Sequence, residues 1–333
     1  MRQNRMVKLA RRPVGMVRGE DFHIEEAPLA ELAEGQFRVG VEYVSLDPAM
    51  RGWISEGRSY VPPVKIGAVM RAYAAGHVVQ SRHPDFAAGD AVVGMLGAQR
   101  YATSDGRGVE KVDTAVAPLE RWIGGLGMPG KTAYFGLLDI GKPKAGETVV
   151  VSAASGAVGS IVGQIARIKG CRAVGIAGGA EKCRRLTEEL GFDAAVDYKA
   201  GRLDADLAAA CPDGIDVYFE NVGGAVLDAC LARMNMWGRI PVCGMISGYN
   251  DTQASPGPRN MRSILVNRLT VRGFLVFDFL DRYPEAMAEL TAWHKDGRLK
   301  IREDVREGGL EAFAATLALL YTGGNNGKLI LKL

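Results

Sequence analysis

The sequence predicts an α/β protein in two parts: a β-rich half, then a doubly wound parallel sheet with helices on both faces. Three observations predict this. Up to about residue 120, short apolar runs alternate with turn signals roughly every ten residues. From near Leu119 onward, strand-like and helix-like segments alternate, the pattern of crossover units. Between the first such strand and helix lies a turn of small residues punctuated by Gly156 and Gly159.

The elements follow in order. In the first half, 37–41, 74–79 and 91–95 read as strands, bounded by Asp47-Pro48, Pro62-Pro63, His83-Pro84-Asp85 and Gly89-Asp90, as in a barrel or sandwich. The second half begins with a β-branched strand at 148–153 and a helix at 157–169, apolar at 158, 161, 162 and 165. Gly170 is placed to stop that helix. Strands at 171–177, 194–197, 216–220, 238–243 and 269–276 alternate with helices at 181–190, 203–210 and 223–231. Helices at 283–296 and 310–321, a glycine-rich turn at 323–327 and a strand at 329–333 close the chain. The resulting division is 1–121 with 297–333 as the β-rich domain, and 122–296 as the parallel-sheet domain.

Composition narrows the function classes. With 41 Lys and Arg against 38 Asp and Glu, the chain of 333 residues is near neutral, which gives no basis for nucleic-acid binding. The most apolar stretch, 149–166, is broken by Ser152, Ser155, Gly156, Gly159, Ser160 and Gly163, so no spanning helix is expected. Arg2, Arg5, Lys8, Arg11 and Arg12 could begin a transit peptide, but Pro13 and Gly15 interrupt any amphipathic helix there. The five cysteines, Cys171, Cys183, Cys211, Cys230 and Cys243, have no CxxC spacing, which fits a reducing cytoplasm rather than a disulfide framework or zinc ribbon. No metal site is expected: the first 120 residues hold no cysteine and only His23, His77 and His83, too few for a catalytic zinc set. His77, beside Val78 and Val79, reads as a strand or cleft side chain, and His294 as a helix-surface residue.

The chemistry-bearing segment is Val149-Val150-Val151-Ser152-Ala153-Ala154-Ser155-Gly156-Ala157-Val158-Gly159. Its last six residues read A-x-G-x-x-G, the dinucleotide-binding fingerprint with Ala154 in place of the first glycine. Gly156 admits a pyrophosphate close to the backbone, Gly159 lets helix and strand pack closely, and the helix N-terminus faces the phosphates. The alternative is a tight strand–helix turn packed for its own sake. The next strand ends at Ala177, where an NAD enzyme usually places an acid; here Gly178-Gly179-Ala180-Glu181-Lys182 follows. Lys182 suits the 2′-phosphate of NADPH; the competing reading gives the ribose to Glu181 and leaves Lys182 solvated.

The strings LARRPVG (9–15), SLDPAMRGWI (45–54), VSAASGAVGSIVGQIARIKGC (151–171), GIAGGAEKCRRL (175–186), LGFDAAVDYK (190–199), FENVGG (219–224), CGMISGYN (243–250), RGFLVFD (272–278) and GGNNGKLILKL (323–333) resemble, in order, the zinc-free branch of the medium-chain dehydrogenase/reductase superfamily. That branch holds prostaglandin and leukotriene reductases, plant alkenal double-bond reductases and bacterial curcumin reductases. The resemblance implies a GroES-like β-rich domain, a Rossmann NADP-binding domain and NADPH-dependent reduction of the C=C bond of α,β-unsaturated ketones and aldehydes. By position it gives Ser155, Gly156, Ala157 and Val158 to the pyrophosphate. Lys182 and Tyr198 fall at the 2′-phosphate, Gly178 among the cofactor-binding residues, and Asn221, Cys243, Phe274 and Val276 at the ribose and nicotinamide. Asn325 falls at the C-terminal turn beside the cofactor. Tyr249 matches the tyrosine at the substrate carbonyl, and Tyr60 lies in the stretch 50–60 that lines the substrate cleft. In this mechanism a hydride reaches the β-carbon and an enolate oxygen is held by the tyrosine and a ribose hydroxyl; packing over the cleft is the alternative role for Tyr249. His77 stands where relatives carry an acidic or small residue. Relatives are commonly homodimers. Alternative functions are a quinone reductase of the same superfamily, a non-catalytic NADPH-binding protein, and alcohol oxidation on prostaglandin-like substrates.

Overall fold

A computed structural model describes residues 3–254 and 256–333. The chain forms two compact units: one runs to Gly124 and resumes over Glu303–Leu333, the other is Gly125–Arg302.

The first unit opens with an antiparallel pair, β1 (Gln3–Leu9) and β2 (Phe22–Pro28). Strand β3 (Phe37–Ser45) follows, then a single helical turn, α1 (Met50–Trp53). Strands β4 (Ala74–Ser81), β5 (Ala91–Gly94), β6 (Tyr101–Ser104) and β7 (Val109–Lys111) complete its N-terminal part. The expected strands at 37–41, 74–79 and 91–95 are thus β3, β4 and β5.

The second unit begins with α2 (Met128–Phe135), whose last turn widens over Gly136–Gly141. Then come β8 (Thr148–Ser152), α3 (Gly159–Ile168), β9 (Arg172–Ala177), α4 (Ala180–Glu188) and β10 (Ala194–Asp197). After these run α5 (Leu203–Ala210), β11 (Ile215–Phe219), α6 (Gly224–Leu231), β12 (Met234–Val242), α7 (Arg262–Val266), β13 (Thr270–Gly273) and α8 (Tyr283–Lys295). Its six strands pair in the order β10-β9-β8-β11-β12-β13, every pair parallel. This is the Rossmann order, with the direction of winding reversing between β8 and β11.

All five residues of β8 are buried, as a central parallel strand requires. Helix α3 buries Ile161, Val162 and Ile165 on one face, each contributing about 1.5–3 kcal/mol of apolar burial. Two expectations need correction. The helix starts at Gly159, not 157, and Val158 is only half-buried, because Ala157 and Val158 belong to the turn. The strand expected at 269–276 ends at Gly273; Phe274 leaves the sheet and a 3-10 segment, Val276–Arg282, follows.

The chain then returns to the first unit with β14 (Glu303–Arg306), α9 (Phe313–Thr322) and β15 (Lys328–Lys332). These complete a seven-stranded sheet, ordered β14-β15-β3-β4-β5-β7 with β6 also on β3. Buried Lys328 donates to the Leu46 carbonyl at 2.8 Å and to Asp47 at 2.5 Å, tying the start of β15 to the segment that leads into α1. No helix among the described residues is long and apolar enough to cross a membrane.

Candidate active site

In the second unit the site is built where the winding reverses, at the carboxyl ends of β8 and β11. Ser152 ends β8, and its carbonyl accepts the Asn221 side-chain amide at 2.8 Å while its hydroxyl accepts the Asn221 backbone N–H at 2.9 Å. Between them sits Glu220, 1 % exposed. One carboxylate oxygen accepts from the Tyr218 hydroxyl at 2.9 Å, the Ser152 hydroxyl at 3.1 Å, Val222 N–H at 2.5 Å and Gly223 N–H at 3.0 Å. Burial pushes the Glu220 carboxyl up, and these four donors oppose that shift. Sequence reasoning gave Glu220 no role. The signal was there: an acid directly after the apolar run 217–219 must be satisfied by hydrogen bonds to be buried.

The turn after β8 places Ser155, Gly156, Ala157 and Val158 ahead of α3. A side chain at Gly159 would lie 2.4 Å from the Ala153 carbonyl oxygen, so only glycine lets the helix start this close to the strand end. No side chain caps α3; its Ser160, Ile161 and Val162 N–H groups donate to the Gly156 and Val158 carbonyls, so it is the turn before the helix that is left to an anionic ligand.

At the end of β9, no carboxylate follows Ala177. Asp197, paired with Ala177 at the end of β10, is turned to the backbone and accepts Gly179 N–H at 2.7 Å and Lys199 N–H at 2.9 Å. Tyr198 lies against Gly178, its ring 2.9 Å from where a side chain there would begin. Lys182 is half-buried in the first turn of α4, Glu181 beside it is exposed, and Lys199 lies 5.9 Å from the Tyr198 ring centre. Gly178, Lys182 and Tyr198 thus surround one turn; Lys199 adds a second cation there that the sequence reading missed.

After β12 the chain folds back on the same strand ends. Cys243 N–H donates to the Glu220 carbonyl at 2.9 Å and Ile246 N–H to the Asn221 carbonyl at 3.1 Å. Burial pushes the Cys243 thiol up to about 12, which keeps it protonated and neutral. The Tyr249 hydroxyl accepts Met245 N–H at 3.2 Å. A side chain at Gly244 would stand 3.1 Å from that hydroxyl and 3.5 Å from the Asn221 carbonyl, so glycine keeps open the space between them. The Phe274 ring is buried edge-on to Phe219, with centroids 6.1 Å apart, and Val276 is buried with its carbonyl accepting the Tyr283 hydroxyl.

The first unit holds the other two. Tyr60 is exposed, and its hydroxyl accepts the Trp53 indole N–H at 3.1 Å. The Asn325 amide donates to the Gly327 carbonyl at 2.9 Å, inside its own turn. His77 lies in β4 with its ring nitrogen 2.5 Å from Glu42 of β3, an exposed cross-strand pair. Among the described residues no three His, Cys, Asp or Glu side chains group as metal ligands do.

A Rossmann sheet with a phosphate turn at its switch point, joined to a β-rich unit, defines a two-domain nucleotide-dependent oxidoreductase. Residues 5–112 match the family described as N-terminal domain of oxidoreductase, and 157–292 that described as zinc-binding dehydrogenase. The chain is 47% identical to the NADPH-dependent curcumin reductase of Escherichia coli, covering 99% of this chain and 97% of that protein. It is 42% identical to the NADP(+)-dependent 2-alkenal reductase of Nicotiana tabacum, covering 98% and 96%. The crystal structure of CurA from Vibrio vulnificus in complex with NADPH is 43% identical over 98% of each chain, with a TM-score of 0.94. The protein belongs to the medium-chain dehydrogenase/reductase superfamily, in the branch of curcumin, alkenal double-bond and prostaglandin reductases.

Proposed function

We propose that this protein reduces the C=C bond of α,β-unsaturated ketones and aldehydes at the expense of NADPH. The observation that carries the reading is the Tyr249 hydroxyl beside the open space at Gly244, next to the Asn221 strand end. Ser155, Gly156, Ala157 and Val158 would hold the pyrophosphate, and Gly178, Lys182 and Tyr198 the 2′-phosphate. Asn221, Cys243, Phe274 and Val276 would line the ribose and nicotinamide, and Asn325 is likewise assigned to the cofactor. Bound NADPH supplies the hydride and leaves as NADP⁺. The hydride adds to the β-carbon, and the electron pair of the C=C bond moves toward the carbonyl oxygen. Tyr249 donates its O–H to that oxygen, and the Met245 N–H it accepts makes the phenol a stronger donor. The α-carbon then takes a proton, and the carbonyl is restored. In the same reading Tyr60, which belongs to the β-rich unit, is a substrate-cleft residue.

The same reading makes the protein a cytoplasmic homodimer. Strand β13 is exposed along its whole length at the edge of the sheet, and Trp237 and Leu265 are exposed on the same unit. An unpaired, partly apolar strand edge is suited to joining a second copy of itself. Its five cysteines are free thiols, which suits a reducing compartment.

A steady-state assay with alkenals, ring enones, a diarylheptanoid and quinones tests the activity. NADPH oxidation with a saturated carbonyl product is expected for enones. Turnover with quinones alone, or with none of these, overturns the reading.

A further inference from the structure

The first unit carries a cation that the proposed reaction leaves unused. Arg71 stands between Met70 and Ala72, both fully buried. The backbone is clamped on either side: Met70 N–H donates to Val7 at 2.7 Å, Ala98 N–H to Met70 at 2.9 Å and Gly97 N–H to Ala72 at 3.0 Å. The Arg71 side chain therefore starts from a fixed position. Its guanidinium lies over the Trp53 ring, 5.7 Å from the centroid. The same indole donates its N–H to the Tyr60 hydroxyl. Cation, indole and phenol are thus linked in sequence, with the indole buried, Arg71 half-buried and the phenol exposed.

Nη1 of Arg71 is buried and without a hydrogen-bond partner. Other arginines with a buried unsatisfied nitrogen, such as Arg5, Arg38 and Arg233, place a second nitrogen on a carboxylate or carbonyl. Arg71 does so with none of the described residues. A guanidinium cannot shed its charge, and a buried donor without an acceptor is costly. The Trp53 face offsets part of that cost. An anionic oxygen would remove the rest.

We propose that Arg71 is a specificity residue that binds the carboxylate of an acidic enone, whose carbon body lies along Trp53 and Tyr60. This rests on the reading that the stretch 50–60 lines the substrate cleft. A carboxylate suits the site because a guanidinium pairs with it through two parallel hydrogen bonds while the indole covers apolar carbon. The cofactor phosphates already have residues assigned to them above, so the anion is the substrate's.

The test uses an aliphatic enone with a terminal carboxylate and its methyl ester, both assayed with NADPH. The wild-type enzyme should favour the acid by roughly 10- to 100-fold in kcat/KM, through KM. Arg71→Met should abolish that preference and leave the ester within about threefold of wild type. Arg71→Lys should restore part of it, because it keeps the charge without the planar fork. NADPH Kd, read by its fluorescence, should be the same in all three. An absent wild-type preference, or equal losses on acid and ester in Arg71→Met, overturns the proposal. A raised NADPH Kd does so as well, by assigning the guanidinium to a cofactor phosphate. If no variant reduces either compound, the enone reading has failed. Calorimetric binding of the saturated acid and ester to the NADPH complex then decides the Arg71 assignment alone, with acid-selective, Arg71-dependent binding expected and indifference refuting it.

Discussion

Tyr249 is held by its own loop: Met245 N–H reaches its hydroxyl across four residues, and Ile246 receives its N–H at 3.2 Å. A phenol so placed is preorganised for charge that appears only in the transition state. Tyr249→Phe keeps the ring and should lower kcat roughly 10- to 100-fold, with enone KM and NADPH Kd little changed. Full kcat on every enone would remove Tyr249 as the donor. Lys182 is tested through the cofactor. Lys182→Ala should raise KM for NADPH tenfold or more and leave KM for NADH almost unaltered, since a charge-assisted contact contributes about 1.5–3 kcal/mol. Equal effects on both cofactors would return the ribose to Glu181. The motif residues around these two positions were legible because glycine, lysine and tyrosine at fixed offsets have few substitutes. Glu220 and Asp197 were not: their work is to hold backbone N–H groups, and only the folded chain shows which N–H groups come to them.

Glu303 opens β14 with its side chain 8 % exposed, one oxygen 3.8 Å from Arg121 and the other buried without a partner among the described residues. Burial pushes its carboxyl up to about 7, against the pull of Arg121. In the folded protein it keeps a proton that the unfolded chain releases near the ordinary value of 4.5. Stability therefore falls as pH rises from about 4.5 to about 7 and stays lower above, by up to about 3 kcal/mol. Glu303→Gln should melt at the wild-type temperature in mildly acidic buffer and above it in mildly alkaline buffer. Parallel melting curves across that range would refute the assignment. Strand β14 escaped the sequence reading because Glu-Asp-Val-Arg has no apolar alternation; it is an edge strand, held by its neighbour β15. Helix α2 escaped because Pro129 and Gly130, both poor helix formers, stand in its first turn, while its packing buries Ala133, Tyr134 and Phe135. In α3, where the apolar period was strong, and also in α5 and α8, the expected and observed ends differ by two residues at most.

At the scale of the molecule, the Rossmann strand order was legible from the alternation of strand and helix, because parallel strands need crossovers and crossovers have one hand. The sheet of the first unit was legible only as β-rich: β15, from the end of the chain, pairs with β3, a long-range partnership that no local pattern encodes. Association of copies is a property of the whole, and the exposed β13 edge predicts it. Light scattering should give twice the mass of the chain. Val271→Lys combined with Leu265→Glu should shift the protein toward the monomer while NADPH still binds; a wild-type monomer would refute the assignment.

The contact between Gly178 and Tyr198 has a consequence for how this lineage can change its coenzyme. An acid at the end of β9 is the usual route to NADH, but at Gly178 any side chain would begin 2.9 Å from the Tyr198 ring and displace it. In the proposed reading, the residue displaced is one that greets the 2′-phosphate. A mutation there thus acts on both coenzymes in one step, offering a carboxylate to the ribose while moving Tyr198. A change of coenzyme through Gly178 is coupled to the phosphate side of the pocket in a way that a change at Lys182 alone is not.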